Sequence, residues 1–400
     1  MNVIPYGKQH ITEEDIQAVI STLKSEYLTQ GPMIKTFEDA FARYTGSRYA
    51  VAVSNGTAAL HLCALALGVE KGQKIITTPI TFAASANCIR YCGGDVVFAD
   101  IDSDTYLLDI HKVRTLLEAA PKDTYKGIIP VDFGGKAVNL EAFRQLADEF
   151  GVWIIEDACH APGGYFLDST QNRQYCGNGH FADLAIFSFH PVKHIAAGEG
   201  GMITTNDEGL YQKLLSLRTH GITRDAASFR NDIGFASGGE PTESYPGWYM
   251  EMQMLGFNYR LTDFQAALGF SQLKRADEGL VKRRQIAKQY DLAFQSHAVV
   301  KSQLNELKKE ASGHAYHLYV IQVEQRLGLY NYLRSHNIFP QIHYIPCHLM
   351  PYYRQLGWKE GDLPNAEAYY KHCISLPMYP TLTADEQNSV IEKIFEYVGK

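Results

Sequence analysis

Tyr49-Ala-Val-Ala-Val53 is a short apolar run, and it continues through Ser54-Asn-Gly-Thr57 into an alanine- and leucine-rich segment that ends at Gly68. A short apolar run bounded by turn residues predicts a buried strand, and the segment after it predicts a helix. A glycine turn between a strand and a helix collects free backbone N–H groups and the positive end of the helix dipole. These residues therefore indicate an anion site, although an ordinary strand-to-helix turn has the same pattern.

The same alternation of strand and helix continues to residue 155. Apolar runs predict strands at 74–78, 95–99, 127–131 and 152–155, with helices that end near residues 91 and 150. Such alternation predicts parallel βαβ units and an α/β fold. Ligands of these sheets bind beyond the carboxyl ends of the strands. The turn at 54–57, Phe82, Asp157 and His160 all follow predicted strands, so we expect them to converge.

A second glycine-rich turn lies between two more predicted buried strands, at 184–187 and 202–205. It contains Ser188, Lys193 and Gly198-Glu-Gly-Gly201. Glycines allow the backbone to approach a ligand closely. A lysine enclosed by apolar residues has a lowered pKa, which makes its amine a nucleophile. Taken alone, the pattern around Lys193 favours one solvated surface lysine among many.

The remaining segments predict further helices and a smaller second domain. Helices are predicted at 12–23, from residue 33, and at 208–220, 262–274, 276–297 and 327–336, with strands at 317–323 and 339–343. Residues 222–250 are rich in Gly, Ser and Pro and are predicted to form an irregular loop excursion. We expect an N-terminal arm with a large domain over 1–260, and a smaller C-terminal α/β domain over 261–400.

The bulk composition narrows the possible functions. Hydrophobic residues make up 46% and charged residues 20%, and the net charge of -7 is scattered, which argues against nucleic acid as the main partner. No apolar run approaches membrane-spanning length, and the N-terminus has no signal-peptide pattern. Seven scattered cysteines without a CxxC pair indicate reduced thiols, so we expect a cytoplasmic protein.

One cofactor, pyridoxal 5′-phosphate (PLP), needs a set of side chains that this chain provides. A lysine binds its aldehyde covalently, an aspartate keeps its ring nitrogen protonated, and an aromatic side chain covers one face of the ring. A helix N-terminus with hydroxyl groups binds its phosphate. The sequence supplies these groups in chain order as Thr57, Phe82, Asp157, Ser188 and Lys193.

Two other cofactor classes have weaker support. No GxGxxG motif follows the first predicted strand, which argues against a dinucleotide-binding dehydrogenase. His314 and His317 are three residues apart but lack a nearby acidic third ligand, so no metal site is expected.

Seven motifs together resemble the DegT/StrS family of sugar aminotransferases, and the resemblance covers nearly the whole chain. The motifs are Thr29-Gln-Gly-Pro32, Ser54-Asn-Gly-Thr-Ala-Ala-Leu60, Thr81-Phe82, Glu156-Asp-Ala-Cys-His-Ala161, Ser188-Phe-His-Pro-Val-Lys193, Gly198-Glu-Gly-Gly201 and Gly256-Phe-Asn-Tyr-Arg-Leu261. The resemblance implies the aspartate-aminotransferase-like fold (PLP fold type I), with a mostly parallel central sheet in the large domain. It also implies a homodimer and PLP chemistry on a nucleotide-linked keto sugar.

The resemblance also implies roles for individual residues. Lys193 would bind the cofactor aldehyde, Asp157 would face the ring nitrogen and His160 would lie near the 3-hydroxyl group, so these three are the expected catalytic residues. Phe82 would stack on the ring. The phosphate would be bound by Gly56, Thr57, Ala58 and Ser188, and by Asn258 of the partner subunit. Substrate contacts would come from Tyr6, Glu26, Tyr27, Leu28, Thr29, His343, Tyr344, Ile345 and Pro346.

Three further motifs resemble the family members of pseudaminic acid synthesis: Ile76-Thr-Thr-Pro-Ile80, Val131-Asp-Phe-Gly-Gly-Lys136 and His190-Pro-Val-Lys-His194. This implies amino transfer, with L-glutamate as the donor, to C4 of a UDP-linked 4-keto-6-deoxy-N-acetylhexosamine. Another nucleotide-linked keto sugar, aminated at C3 or C4, stays open because it would use the same residues. A PLP-dependent sugar dehydratase would have histidine in place of Lys193. A non-catalytic protein on this scaffold would not need the lysine, the aspartate and the phosphate residues together.

Overall fold

The computed structural model describes residues 3–295, 297, 300–302 and 313–399. The strands are β1 (Ile4–Pro5), β2 (Tyr49–Val53), β3 (Lys74–Thr77), β4 (Asp95–Phe98), β5 (Tyr125–Ile129), β6 (Trp153–Asp157), β7 (Tyr165–Leu167), β8 (Arg173–Tyr175), β9 (Leu184–Ser188), β10 (Gly201–Thr205), β11 (Ile222–Thr223), β12 (Glu251–Met252), β13 (Lys301–Ser302), β14 (Tyr319–Gln322), β15 (Ile338–Phe339) and β16 (Cys373–Leu376). The helices are α1 (Glu13–Leu23), α2 (Pro32–Thr45), α3 (Gly56–Ala66), α4 (Ala84–Tyr91), α5 (Ile110–Ala119), α6 (Leu140–Phe150), α7 (Glu208–Arg218), α8 (Ile233–Ala236), α9 (Asp263–Leu273), α10 (Ala276–Phe294), α11 (Arg326–Ser335), α12 (Pro351–Arg354), α13 (Pro364–His372) and α14 (Ala384–Val398).

A central sheet of seven strands has the order β2-β10-β9-β6-β5-β3-β4. Neighbouring strands are parallel except at β10, which runs antiparallel to both β2 and β9. The predicted α/β fold with a mostly parallel central sheet is therefore confirmed. Every strand of this sheet was predicted, with ends within two residues of those observed.

The strands of the central sheet are buried on both faces. Successive residues of a strand point to opposite faces, and the pairs Ile75–Ile76, Ile128–Ile129 and Ile154–Ile155 are fully buried. Both faces must therefore be covered by other parts of the chain, as is usual for parallel sheets. Burial of this apolar surface, at about 25 cal/mol per Å², drives folding. A ligand can approach such a sheet only at the ends of its strands.

A smaller antiparallel sheet, β13-β14-β16, lies in the C-terminal part of the chain. Its core includes Tyr290, Ile321, Leu329, Ile374 and Val390, contributed by the sheet and by α10, α11 and α14. The N-terminal segment contacts the C-terminal part of the chain, because β1 pairs in parallel with β15 and α9 packs against α1 and α2. The domain boundary near residue 261 stays a prediction.

The sequence prediction was wrong or incomplete at several elements. The strand predicted at 339–343 is only β15, which ends at Phe339 because Pro340 has no N–H group to continue the ladder. The long helix α10 ends at Phe294, before the predicted end near residue 297. Helices α5, α13 and α14 and the β7–β8 hairpin were not predicted. Within the described ranges, no helix has the length and apolar character needed to cross a membrane.

The segment predicted as irregular, 222–250, has more order than its composition indicates. Strands β11 and β12 pair antiparallel at its base. The buried Glu251 carboxylate accepts hydrogen bonds from the N–H groups of Arg230 at 2.7 Å and Asn231 at 2.9 Å. The Glu251 side chain thus stabilises the base of this excursion. A composition rich in Gly and Ser gives no sign of such a contact.

Candidate active site

The carboxyl ends of β2, β6 and β9 meet at a cavity of about 710 Å³, a volume suited to a small-molecule site. The predicted site residues that line this cavity are Tyr6, Gly56, Thr57, Ala58, Phe82, Asp157, His160, Ser188, Lys193, His343 and Tyr344. They come from six separate segments of the sequence. The fold brings them together at the carboxyl ends of the strands, where α/β sheets bind their ligands.

Lys193 presents its amine to this cavity from the turn between β9 and β10. The turn is held by the Lys193 N–H group, which donates to the His190 carbonyl at 2.8 Å. The amine nitrogen, Nζ, lies 3.4 Å from Nε2 of His317. Burial lowers the pKa of Lys193, because the charged ammonium loses hydration. Lys193 is therefore not a solvated surface lysine, and its amine can act as a nucleophile and as a proton acceptor.

Asp157 ends strand β6, and its carboxylate is oriented by two donors. Ser85 Oγ donates to Oδ2 at 2.6 Å, and the Cys159 N–H group donates to Oδ1 at 3.2 Å. Ser85 Oγ is also 2.7 Å from Thr81 Oγ1. The Thr81–Ser85 pair fixes the carboxylate, which is 5% exposed, so that it faces the cavity. Sequence analysis missed Ser85; its spacing of four residues from Thr81, just after a strand, was the available signal.

The first turn of α3 forms a compact cradle with Ser188. Asn55 caps the helix, since its side chain accepts from the Ala58 N–H group at 2.8 Å. A Cβ atom on Gly56 would lie 3.0 Å from the Ser188 Cβ, so a larger residue would push the strand end away from the helix. Thr57 and Ser188 add hydroxyl groups to this helix N-terminus, which is a favourable place for a phosphate.

His160 lies beside the cavity as a neutral ring. Its Nδ1 accepts from the Gly134 N–H group at 3.2 Å, so the ring proton is on Nε2, which is 3.3 Å from the Tyr344 hydroxyl. Burial holds the pKa of His160 well below its usual range, and the charge of Lys193 adds to this effect. His160 can therefore donate one hydrogen bond from Nε2 while staying uncharged.

The other predicted site residues lie outside the lining of this cavity. Glu26, Tyr27, Leu28 and Thr29 are exposed, and the loop they form pairs with the start of α9. Asn258 is exposed and pairs with Thr219. Ile345 and Pro346 continue beyond Tyr344. The roles of these residues stay predictions.

These residues fit PLP. The amine of Lys193, the oriented carboxylate of Asp157 and the glycine-dependent cradle at Gly56 and Ser188 all face one cavity. Phe82, which is 64% exposed, borders the same cavity and offers a flat apolar face. When bound, PLP supplies an aldehyde and an electron-withdrawing ring that stabilises negative charge on the carbon bearing the amine.

The side chains around that ring have separate tasks. Asp157 would hold positive charge at the ring nitrogen, and the start of α3 would bind the phosphate. Lys193, as a neutral amine, would accept a proton from one carbon and return it to another.

Comparison with known proteins gives the same class of enzyme, a PLP-dependent sugar aminotransferase. The chain belongs to the DegT/DnrJ/EryC1/StrS aminotransferase family, whose model matches residues 9–395. It is 38% identical, over 99% of its length and 97% of the relative, to the spore coat polysaccharide biosynthesis protein SpsC of Bacillus subtilis.

Solved structures of sugar aminotransferases have the same fold. Helicobacter pylori PseC, described as an aminotransferase of pseudaminic acid biosynthesis, is 29% identical over 99% of both chains, with a TM-score of 0.83. The PLP form of the sugar aminotransferase Spr1654 from Streptococcus pneumoniae is 27% identical over 99% of this chain and 98% of that chain, with a TM-score of 0.85. The predicted family, fold and cofactor are confirmed.

Two buried carboxyl groups, those of Asp132 and Glu156, lie close to each other near Asp157. Asp132 and Glu156 are 1% and 2% exposed, and their oxygens lie with the Cys176 sulfur within 4.8 Å of one another. Burial raises the pKa of Asp132 to about 7, and it raises the pKa of Glu156 well above the usual range, with the charge of Asp132 adding to that rise. The pair therefore retains a proton at neutral pH.

This pair should make stability depend on pH. An acid whose pKa is higher in the folded chain stabilises the fold fully below its unfolded pKa, and that contribution is lost as pH rises through the folded pKa. For Asp132 the loss falls between pH 3.8 and about 7. In Glu156→Gln the amide can donate in place of the shared proton, so the free energy of unfolding should fall less steeply over this range. Denaturant titrations at several pH values measure this, and equal slopes for both proteins would show that no proton is shared.

Proposed function

We propose that this enzyme transfers an amino group from L-glutamate to C4 of a UDP-linked 4-keto-6-deoxy-N-acetylhexosamine. That is the reaction of UDP-4-amino-4,6-dideoxy-N-acetyl-β-L-altrosamine transaminase in pseudaminic acid synthesis. The observation that carries the proposal is the likeness to PseC over 99% of both chains. The motifs at 76–80, 131–136 and 190–194 support it because two of them reach the site: Val131 and His190 line the cavity.

One alternative substrate class is another nucleotide-linked keto sugar, aminated at C3 or C4. The relative at 38% identity, SpsC, is described as a protein of spore coat polysaccharide biosynthesis, which supports testing sugars of other pathways. A PLP-dependent sugar dehydratase is disfavoured, because the amine of Lys193 is present and faces the cavity.

A substrate panel separates these candidates. The enzyme is incubated with PLP, L-glutamate and a series of UDP- and dTDP-linked 3-keto and 4-keto sugars, and products are identified by mass and NMR. The proposal predicts a 4-amino product from the UDP-linked 4-keto-6-deoxy-N-acetylhexosamine at the highest kcat/KM. A higher kcat/KM with a dTDP-linked or 3-keto sugar would contradict it. Replacing L-glutamate with other amino acids tests the donor in the same assay.

We also propose a cytoplasmic homodimer with shared active sites. All seven cysteines are free thiols, in keeping with a reducing compartment. Asn258 and the loop at 26–29 are exposed outside their own chain's cavity, and Tyr27 and Leu28 are 52% and 50% exposed. A two-fold interface would let each subunit give the same contacts that it receives. Asn258 of the partner subunit would then donate to the cofactor phosphate.

Mixing two inactive variants should restore activity if the sites are shared. Lys193→Ala removes the reactive amine from its own chain. Asn258→Asp places a negative charge against the phosphate of the partner's cofactor and should expel it. After equal mixing and random subunit exchange, half of the dimers are mixed, and each of these has one site without either lesion. About a quarter of wild-type activity should return, which follows from two-fold symmetry.

The control for this mixture is each variant exchanged with itself, which should stay inactive. Exchange is verified with a mass-tagged subunit. A mixture that exchanges subunits and remains inactive would place Asn258 in the site of its own chain, or away from the phosphate.

A further inference from the structure

His317 contacts the reactive lysine and has no role in the function derived above. Its ring is 5% exposed, and Nε2 lies 3.4 Å from Nζ of Lys193. Nδ1 has no hydrogen-bond partner anywhere in the described parts of the chain. Among the described residues, the buried imidazole therefore makes its polar contact through Nε2, to Lys193.

The main chain fixes the position of this ring. The Ala315 and Leu318 N–H groups donate to the carbonyls of Gly135 at 2.7 Å and Gly134 at 3.0 Å. Gly135 has φ of +100°, and a Cβ there would lie 2.7 Å from the Tyr316 nitrogen, so this turn requires glycine. Through these two hydrogen bonds, the motif Asp132-Phe-Gly-Gly-Lys136 holds the segment that carries His317 beside Lys193.

Arg283 gives a second set of hydrogen bonds to the main chain near His317. Arg283 is 1% exposed and donates from Nη1 to the carbonyls of Tyr316 at 3.1 Å and Met378 at 2.9 Å. On its other side the His317 ring lies 4.3 Å from the ring of His160. The imidazole is therefore held between neighbours, as a positioning group must be.

We propose that His317 is a positioning residue for Lys193, and that its Nε2 holds the lysine amine by a hydrogen bond whenever that amine is free. An imidazole nitrogen can accept from an ammonium group or donate to the lone pair of an amine, depending on the tautomer. The same side chain can thus follow Lys193 through both of its protonation states. This keeps the amine directed at the cavity while it takes up and returns a proton.

The charged and titratable groups around Lys193 are consistent with this role. Burial disfavours the charged lysine most, the Asp157 charge favours it, and the Arg283 charge disfavours it. The Cys159 thiol is neutral, because burial holds its pKa well above its usual range. Burial keeps His160, His194, His317 and His343 neutral, since it holds the pKa of each below its usual range. Because His317 is neutral, it can accept a hydrogen bond from the lysine without repelling it.

The test uses the pyridoxamine 5′-phosphate form of the enzyme, in which the lysine amine is free. His317→Phe and His317→Leu remove the polar atom, and His317→Gln keeps a group that can accept and donate. In the apolar variants kcat should fall about 10- to 100-fold with KM unchanged, because the amine is no longer held in line. His317→Gln should recover most of that loss. His180→Gln, at an exposed histidine outside the cavity lining, should stay near wild type.

A second readout does not depend on turnover. The pKa of Lys193 is measured from the pH dependence of its labelling by an amine reagent, followed by peptide mass mapping. Loss of the acceptor nitrogen should lower that pKa by about one unit in the apolar variants, since a hydrogen bond to a charged group is being removed. His317→Gln should restore it. Labelling curves that match wild type, or a Gln variant as impaired as the apolar ones, would overturn the proposal.

A reciprocal measurement covers the case in which the apolar variants do not fold. With ¹⁵N-labelled histidine, the shifts that mark the tautomer of His317 should change between wild type and Lys193→Met, which keeps the length of the side chain. Unchanged shifts would show that the two side chains do not interact and would overturn the proposal.

Discussion

Lys193→Ala should lower turnover by at least about a thousandfold while leaving a folded protein that still binds PLP. The amine is both the group that binds the aldehyde and the group that moves the proton, so one substitution removes both tasks. The phosphate cradle at Gly56 and Ser188 is untouched, and it should retain the cofactor without a covalent bond. Steady-state kinetics and equilibrium dialysis of PLP measure the two effects separately.

Lys213→Ala is a suitable control for this loss. Lys213 donates from Nζ to the Ala66 carbonyl at 2.8 Å, outside the cavity lining, so its removal tests the general effect of deleting a lysine. Turnover of this variant should stay near wild type. Disturbed packing alone should lower turnover by about tenfold at most. If Lys193→Ala kept more than a tenth of wild-type activity, Lys193 would therefore not be the reactive amine.

Asp157→Asn should give the second largest effect, on the order of a hundredfold or more in kcat. The amide keeps the shape of the side chain and can still accept from Ser85, which donates to Asp157 Oδ2 at 2.6 Å. It no longer carries the negative charge that keeps the ring nitrogen protonated. That charge matters most when electron density develops at the substrate carbon, so kcat should fall more than KM rises.

The cofactor content separates this effect from loss of PLP. Asp157→Asn should still show covalent attachment to Lys193, because the amine and the phosphate cradle are unchanged. Asp183→Asn is the control: Asp183 pairs with Arg144 at 3.1 Å, outside the cavity lining, and its variant should turn over normally. A kcat for Asp157→Asn within a factor of about three of wild type would show that Asp157 does not face the ring nitrogen.

The central sheet was predictable because its signals are local. Each apolar run, such as Tyr49–Val53, is bounded by turn residues, and parallel strands buried on both faces give continuous apolar runs. The convergence of Asp157, His160 and the start of α3 followed from the same pattern, since ligands bind at the carboxyl ends of such strands. Lys193 was added to this set because PLP needs a lysine and the turn that carries Lys193 lies between two predicted buried strands.

The features that sequence analysis missed depend on contacts between distant residues. Ser85 and His317 act on Asp157 and Lys193 across 72 and 124 residues of sequence. The Asp132–Glu156 pair forms because β5 and β6 are neighbours in the sheet, and a sequence shows neither that order nor the burial that raises their pKa values. The pairing of β1 with β15 is likewise invisible from two short strands.

The most direct test of the central claim is borohydride reduction of the PLP-loaded protein, followed by peptide mass mapping. The geometry predicts one pyridoxyl group per chain, on Lys193, the lysine in the lining of the 710 Å³ cavity. The visible absorbance of the bound cofactor should disappear on reduction, and Lys193→Ala should incorporate no label. A pyridoxyl group on a different lysine, or a wild-type protein that takes up no label when PLP is in excess, would contradict the assignment of this cavity as the PLP site.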